Sequence, residues 1–248
     1  MDRFDAVIFD VDGTLAETER DGHRVAFNRA FAEAGLPWRW DERLYGELLA
    51  VTGGRERITF YAQRFAPQWL DGARADERIA GLHRRKNAHY AAIVEAGDLR
   101  LRPGVPRLLR ELAASGARLA IATTTSRANL EVLLGATLGA DAMSGFELAV
   151  CGEDVSRKKP DPEAYLLALR RLQLPAARCV AVEDSANGLR AALAAGIATM
   201  IVRSLYTRDE DFTGALRVFD GYDDGTPGGD RDGLSAALLA AACRPPPL

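Results

Sequence analysis

Between residues 105 and 202, short apolar stretches alternate with amphipathic segments of about ten residues, and this alternation limits the possible folds most. The apolar stretches there, which predict strands, are residues 118–123, 146–151, 179–182 and 196–202, and residues 5–9 form a further predicted strand near the N-terminus. The segments that predict helices are residues 105–114, 128–134, 162–172 and 185–195. Strands that alternate with helices form a parallel sheet covered on both faces, so we expect an α/β Rossmann-like core.

The rest of the chain adds a helical insert and a C-terminal extension. Residues 18–96 carry apolar side chains at helical spacing and predict four helices with almost no strand. We therefore expect a core of residues 1–16 and 98–248 and an all-helical cap domain of residues 17–97. A short strand at 216–219, a loop at 221–233, a helix at 234–242 and a frayed tail at 245–247 complete the prediction. Because the insert leaves just after the first strand, it adjoins the sheet edge where α/β proteins bind ligands.

Composition excludes several classes of protein. Hydrophobic residues make up 48% and charged residues 27% of the chain, which is typical of a folded domain rather than a disordered one. The net charge of −3 gives no indication of a nucleic-acid partner. No apolar stretch predicts a membrane span or a secretory signal. Cys151, Cys179 and Cys243 are widely spaced, which predicts free thiols in a cytoplasmic protein.

Two acidic clusters follow predicted strands. Asp10 and Asp12 come directly after the first strand, and Glu183 and Asp184 follow the strand at 179–182. Neighbouring buried carboxylates repel each other unless a cation lies between them. The clusters therefore predict a divalent metal site, with one carboxylate left for acid–base chemistry. The same residues would also serve as turn and helix-capping residues, and the sequence leaves both interpretations open.

A hydroxyl cluster and a lysine pair lie at the ends of two further strands. Residues 123–126 read Thr-Thr-Thr-Ser before a helix, where they would bind phosphate oxygens or simply cap the helix. Lys158 and Lys159 are two of only three lysines, against 29 arginines, and they precede a helix whose N-terminal dipole disfavours cations. A bound phosphate would remove that conflict. We expect all four clusters to meet in one crevice.

In their order along the chain, these clusters resemble the four motifs of the haloacid dehalogenase superfamily of phosphohydrolases. The matching residues are Asp-x-Asp-Gly-Thr at 10–14, Thr123, Lys159 before a proline, and Glu183-Asp184. The resemblance covers residues 5 to about 203, and the insert lies where that superfamily has its small helical cap. Strings at 15–19, 23–28, 52–58, 122–126 and 206–208 are similar to the CbbY type, which is related to β-phosphoglucomutase and phosphoglycolate phosphatase. CbbY proteins are associated with removing one phosphate from xylulose 1,5-bisphosphate.

The resemblance implies a role for each motif. Asp10 would be the nucleophile that forms an aspartyl-phosphate, and Asp12 would be the general acid and base. Mg²⁺ would be held by the Asp10 carboxylate, the Asp12 carbonyl and Asp184. Glu183 would orient these groups without binding the metal itself. The residues that would bind the transferring phosphoryl group are Thr123, Thr124 and Lys159.

Recognition of the rest of the substrate falls to the cap and to the hydroxyl cluster. The candidates are Glu17, His23, Tyr45, Gly53, Gly54, Arg55, Arg57, Lys86, Thr125 and Ser126. The Thr-Gly-Gly-Arg string at 52–55 predicts a backbone turn beside an arginine that grips a second phosphate, although solvated arginines would give the same pattern. Lys86 would equally fit a solvated helix face, and His23 would equally fit simple packing.

The sequence therefore predicts a monomeric, Mg²⁺-dependent phosphatase for a small phosphorylated sugar, with xylulose 1,5-bisphosphate as the expected substrate. A phosphomutase of the β-phosphoglucomutase type and a phosphoglycolate phosphatase are the alternatives within the same fold. A non-catalytic protein that only binds a sugar phosphate is the alternative from another class, and the presence of both Asp10 and Asp12 argues against it.

Overall fold

The computed structural model describes residues 4–222 and 233–242. Within them the strands are β1 (Ala6–Phe9), β2 (Arg118–Ala122), β3 (Leu148–Val150), β4 (Cys179–Glu183), β5 (Ala198–Val202) and β6 (Arg217–Phe219). The α-helices are α1 (Arg24–Glu33), α2 (Glu42–Leu48), α3 (Gly54–Phe65), α4 (Ala75–Glu95), α5 (Val105–Ala114), α6 (Arg127–Leu138), α7 (Glu163–Leu172), α8 (Ala186–Ala194) and α9 (Ala236–Ala242). Short π- or 3₁₀-helical turns lie at Glu19–His23, Pro67–Leu70, Ala142–Gly145 and Ala176–Arg178.

The strands form one parallel sheet in the order β3-β2-β1-β4-β5-β6, which confirms the predicted Rossmann-like core. The central strand β1 sets the position of the site, because Phe9 pairs with Ile121 of β2 and with Val182 of β4. The residues that follow these three strands therefore lie side by side at one edge of the sheet.

Side chains of β1 alternate between the two faces of the sheet, as strand geometry requires. Val7 and Phe9 belong to an apolar cluster shared with α5, α6 and α9, whereas Ala6 and Ile8 pack with α7 and α8 on the other face. Burial on both faces explains why β1 reads as a continuous apolar run rather than an alternating one.

The helices α1 to α4 lie between β1 and α5 in the chain and have an aromatic core of their own, built around Phe27, Phe31, Trp38 and Trp40. The chain enters and leaves these helices through two adjacent segments, which a bridge between Ala16 and Leu101 joins. This arrangement matches an inserted cap, while its boundaries at 16/17 and 97/98 stay a prediction.

Several local predictions differ from the structure. The strand predicted at 146–151 is shorter, because Phe146 ends the turn Ala142–Gly145 and only β3 pairs with β2. The helix predicted from Pro162 begins at Glu163, with Pro162 at the N-cap and the Asp161 carboxylate accepting the Glu163 N–H.

Other predictions concern the cysteines, the C-terminal segments and the membrane. Cys151 and Cys179 are buried free thiols. Cys243, the tail at 245–247 and most of the loop at 221–233 lie outside the described residues. In the part of the chain that the structure describes, no helix combines the length and apolar character needed to cross a membrane.

Candidate active site

Four loops bring polar side chains to the carboxyl edge of the sheet. Asp10 follows β1, Thr123 and Thr124 follow β2, and Glu183 ends β4 directly before Asp184. A fourth loop, between β3 and α7, brings Lys159. The crevice expected from the four sequence clusters is therefore present.

Lys159 lies at the centre of this crevice and is almost fully buried. Its Nζ lies 2.6 Å from Asp10 Oδ1, 2.6 Å from Glu183 Oε1 and 2.8 Å from the carbonyl oxygen of Ala122. Burial lowers the pKa of Lys159, but the charges of Asp10 and Glu183 outweigh that effect and raise it, so the ammonium stays protonated. The hydroxyl of Tyr165 donates to the same Glu183 oxygen at 2.6 Å. Glu183 is thus occupied by Lys159 and Tyr165 and holds them in place.

Asp10, Glu183 and Asp184 form a buried acidic cluster with ligand atoms within 4.8 Å of one another. Burial raises the pKa of Asp10 to about 7 despite the opposing charge of Lys159. Burial, together with the charges of Asp10 and Glu183, raises the pKa of Asp184 well above its usual value. These raised pKa values reflect that three ionised carboxylates would carry more negative charge than Lys159 alone balances. A hard divalent cation, which prefers carboxylate oxygens, would stabilise the ionised forms.

The backbone at Gly13 leaves room beside Asp184. Gly13 has a φ of +85°, and a Cβ at this position would lie only 2.2 Å from Asp184 Oδ2. The hydroxyl of Thr14 lies 3.3 Å from Asp10 Oδ2 and 3.4 Å from Asp184 Oδ1. Glycine therefore lets the loop after β1 lie against the Asp184 carboxylate. The acidic donor set and this glycine cradle together fit a small divalent cation such as Mg²⁺.

Asp12 faces the cap instead of Lys159. Its Oδ1 accepts a hydrogen bond from the Thr18 hydroxyl at 2.5 Å and lies 3.0 Å from His23 Nε2. Nζ of Lys86 lies 2.8 Å from the other ring nitrogen of His23. Burial raises the pKa of Asp12, but the interactions with His23 and Thr18 outweigh it and lower the pKa to about 2. Asp12 is therefore a carboxylate in this arrangement, and Thr18 and His23, which lie after the predicted cap boundary, hold it.

Two adjoining cavities lie between the cap and the sheet. The smaller, of about 80 Å³, is lined by Asp10, Lys159 and Asp184, among others. The larger, of about 340 Å³, is lined by four cationic side chains, Arg55, Arg57, Lys86 and Lys158, and by three acidic ones, Asp12, Glu19 and Glu153. Residues that line both cavities are Asp12, Glu19, Arg57 and Thr124. The two spaces are thus neighbours with a common border at Asp12.

Most of the predicted site residues line one of these cavities. The larger one includes His23, Gly53, Gly54, Arg55, Arg57, Lys86, Thr125 and Ser126. Tyr45 lies behind the cavity wall, where its hydroxyl donates to Glu19 and accepts from Arg57. Thr123 is buried beneath Thr124, and its hydroxyl accepts the N–H of Thr125.

Glu17 lies apart from both cavities. Its carboxylate is about half exposed and lies 3.6 Å from Arg102, in a separate surface pocket near the two linking segments. The acidic residue that the structure places in the site is Glu19, two positions later. The turn Glu19–His23 decides which of these acids faces inward, and the sequence pattern carried no signal for that turn.

Further residues of the larger cavity escaped the sequence analysis. They include His83, Asn87, Asn129 and Glu153. Burial, together with the charges of Lys86 and Lys158, lowers the pKa of His83 to about 3, so this ring is neutral at pH 7. Single polar residues on a helix have no spacing that distinguishes a cavity lining from a solvated face, so no sequence signal was available for them.

Comparison with known proteins identifies the family. The family model for haloacid dehalogenase-like hydrolases matches residues 4–196. The chain belongs to the haloacid dehalogenase-like hydrolases.

Individual relatives in this family include CbbY proteins. The chain is 50% identical over 214 residues to the plasmid-encoded protein CbbY of Cupriavidus necator, covering 86% of this chain and 84% of the relative. It is similar to the crystal structure of CbbY from Rhodobacter sphaeroides in complex with phosphate, with a TM-score of 0.81 and 46% identity over 88% of this chain and 94% of that one. A D10N variant of the same CbbY, crystallised with xylulose 1,5-bisphosphate, matches equally well.

A more distant relative in the family is a phosphatase. The phosphoglycolate phosphatase of Rhodospirillum rubrum is 32% identical over 243 residues, which cover 94% of this chain and 97% of the relative. As a member of the haloacid dehalogenase-like hydrolases with such relatives, the chain is an enzyme of the phosphatase class.

Proposed function

We propose that this protein is a Mg²⁺-dependent phosphatase that removes one phosphate from a small sugar bisphosphate, with xylulose 1,5-bisphosphate as the substrate and xylulose 5-phosphate as the product. The observation that carries the proposal is the pair of adjoining cavities. One contains the carboxylates and Lys159, and the other is lined by four cationic side chains. A substrate with a phosphate at each end would match this distribution of charge. The similarity to CbbY, crystallised with xylulose 1,5-bisphosphate, supports the same substrate.

Asp10 is the proposed nucleophile. One of its oxygens would attack the phosphorus atom and form an aspartyl-phosphate, while the bond from phosphorus to the sugar oxygen breaks. Lys159 holds the Asp10 carboxylate at 2.6 Å and would neutralise the charge of the phosphoryl oxygens as they approach. Thr124 lines the same cavity and would add donors to those oxygens, with Thr123 fixing the loop beneath it.

Asp12 is the proposed general acid and base. As a carboxylate next to the cavity, it could take a proton from the water that hydrolyses the aspartyl-phosphate. Giving a proton to the departing sugar oxygen requires Asp12 to be protonated first. Substrate binding would therefore have to loosen the bonds from Thr18 and His23 that hold its pKa low.

Asp10, the Asp12 carbonyl and Asp184 are the proposed Mg²⁺ ligands, and Glu183 would act indirectly by holding Lys159. When bound, Mg²⁺ would stabilise negative charge on the transferring phosphoryl group. The Gly13 backbone and the Thr14 hydroxyl lie against the same carboxylates and would therefore help to set the position of the ion.

In this proposal residues 17–97 act as a cap over the core of residues 1–16 and 98–248. Arg55, Arg57 and Lys86 would hold the second phosphate of the substrate, which stays on the product. Gly53 and Gly54 would let the backbone before α3 approach it. A closed cap would also keep bulk water away from the aspartyl-phosphate. We further propose that the enzyme acts as a monomer in the cytoplasm.

Phosphate release by the purified protein tests this proposal. We expect Mg²⁺-dependent release from xylulose 1,5-bisphosphate to exceed that from phosphoglycolate and sugar monophosphates in kcat/KM by about a hundredfold or more. Removal of Mg²⁺ with a chelator should abolish turnover and its return should restore it. A preference for phosphoglycolate, or conversion of a sugar phosphate into its isomer without phosphate release, would overturn the proposal in favour of one of the alternatives.

A further inference from the structure

Arg102 is a buried cation that lies outside both cavities. It lies in the second linking segment, between α4 and α5 and next to Leu101, and is 7% exposed. Among the described residues, Arg102 forms an ion pair with Glu17, whose Oε1 lies 3.6 Å from Nε, which is too long for a hydrogen bond. Burying a guanidinium is costly unless its donors are satisfied, so the partners of Arg102 indicate what holds it there.

Those partners are backbone carbonyl oxygens from two different strand-end loops. Nη1 donates to the carbonyls of Gly13 and Val202, and Nη2 donates to that of Arg203 at 2.6 Å. The planar guanidinium thus links the loop after β1 to the end of β5. A lysine has a single nitrogen and could not span these three acceptors in the same way.

Tyr222 holds the same loop at Thr14, the residue after Gly13. The guanidinium carbon of Arg102 lies 5.4 Å from the centre of the Tyr222 ring, and the Tyr222 hydroxyl donates to the carbonyl of Thr14 at 2.9 Å. The consecutive carbonyls of Gly13 and Thr14 are therefore held by one stacked pair of side chains.

The loop held in this way contacts both Asp10 and Asp184. The backbone of Gly13 lies against the Asp184 carboxylate, and the Thr14 hydroxyl lies between Asp184 and Asp10. The backbone N–H of Arg102 also donates to Leu15 at 2.9 Å, on the core side of the two linking segments. Arg102 is thus placed to hold the loop after β1 where the chain leaves and re-enters the core.

We propose that Arg102, backed by Tyr222, is a positioning residue that holds the loop of residues 10–14 against β5 and thereby sets the affinity of the acidic cluster for Mg²⁺. This inference rests on the proposed function for the identity of the metal. It adds a residue that touches neither substrate nor metal and that none of the sequence clusters contains.

The test compares Mg²⁺ affinity, measured by isothermal titration calorimetry without substrate, in the full-length parent and three variants. Arg102→Lys keeps the charge but loses the planar fork, and we expect Mg²⁺ binding to weaken by about tenfold or more. Tyr222→Phe removes one hydrogen bond and should weaken it by about threefold. Arg100→Lys is the matched control, because Arg100 is exposed in the same linking segment. The Mg²⁺ affinity of this variant should equal that of the parent.

A merely structural role would lower the melting temperature of Arg102→Lys without changing Mg²⁺ affinity, and an affinity within about twofold of the parent would overturn the inference. In turnover assays, excess Mg²⁺ should restore kcat of Arg102→Lys, and a kcat that stays low at saturating Mg²⁺ would count against it. If the parent binds Mg²⁺ but hydrolyses no sugar bisphosphate, the proposed substrate fails while the affinity comparison still decides the role of Arg102.

Discussion

Asp10 and Arg57 both line the smaller cavity, but the chain brings them there in different ways. Asp10 is the first residue after a central strand, and its position follows from the register of β1 between β2 and β4. Arg57 comes from the first turns of α3, and its guanidinium is held by the carbonyls of Leu48 and Val51 and by the Tyr45 hydroxyl. We call the site residues that come from the loops at the strand ends the floor and those that come from the inserted helices α1 to α4 the wall.

The floor depends on backbone topology, whereas the wall depends on how helices pack. Residues at the ends of neighbouring parallel strands lie close together regardless of which side chains surround them. Residues of the wall meet only because the aromatic core of the cap fixes the relative positions of α1, α3 and α4. Chemistry common to a family can therefore stay on the floor while the wall varies with the substrate. Substitutions should accordingly change kcat on the floor and substrate preference on the wall.

The largest effect is expected for Asp10→Asn on the floor. The amide keeps the shape of the carboxylate but is a far weaker nucleophile, so kcat should fall by about a thousandfold or more with any phosphate ester. Steady-state phosphate release measures this, and Asp76→Asn, at an exposed position of α4, is the control. Turnover near the parental rate would exclude Asp10 as the nucleophile.

A smaller loss is expected for Lys159→Met, also on the floor. This change removes the ammonium that lies 2.6 Å from both Asp10 and Glu183, so kcat should fall by about a hundredfold or more. Two buried carboxylates also lose their cation, which should destabilise the fold by about 3 kcal/mol and lower the melting temperature.

Lys158→Met is the matched control for this lysine, because Lys158 is its sequence neighbour and pairs with Glu56 of the cap instead. Equal losses of kcat in the two variants would show that the contact with Asp10 and Glu183 is not what makes Lys159 necessary.

On the wall, Arg55→Ala should change substrate preference rather than kcat. Arg55 is exposed toward the larger cavity, and its loss should raise KM for xylulose 1,5-bisphosphate by about tenfold. The KM for p-nitrophenyl phosphate, which has no second phosphate, should stay within about twofold. Arg64→Ala, further along α3 and stacked on Phe65, provides the comparison. The same increase of KM for both substrates would exclude binding of the second phosphate by Arg55.

The smallest effect concerns the contact between floor and wall. Lys158 lines the larger cavity, its Nζ lies 2.8 Å from Glu56 Oε1, and both side chains are partly exposed. Because such ion pairs contribute little, Glu56→Lys should raise KM for the bisphosphate only about threefold. The double variant Glu56→Lys with Lys158→Glu should recover part of this loss, and an effect that is simply additive would show that the pair does not hold the cap.

The sequence determined the fold class and most of the floor. Apolar runs before Asp10, Thr123 and Asp184 identify the strands, and parallel strands necessarily bring their carboxyl ends to one edge. The scarcity of lysine drew attention to Lys159, which is indeed buried between two carboxylates. For these residues, local sequence and backbone topology are sufficient.

The remaining features depend on how the folded chain packs. The tertiary structure placed Glu19 rather than Glu17 at the cavities, because one helical turn after the first linking segment sets which acid faces inward. It also showed that Arg102, one arginine among 29, holds three backbone carbonyls. A carbonyl belongs to every residue and leaves no mark in the sequence, so a side chain that binds carbonyls is recognised only when the chain is folded.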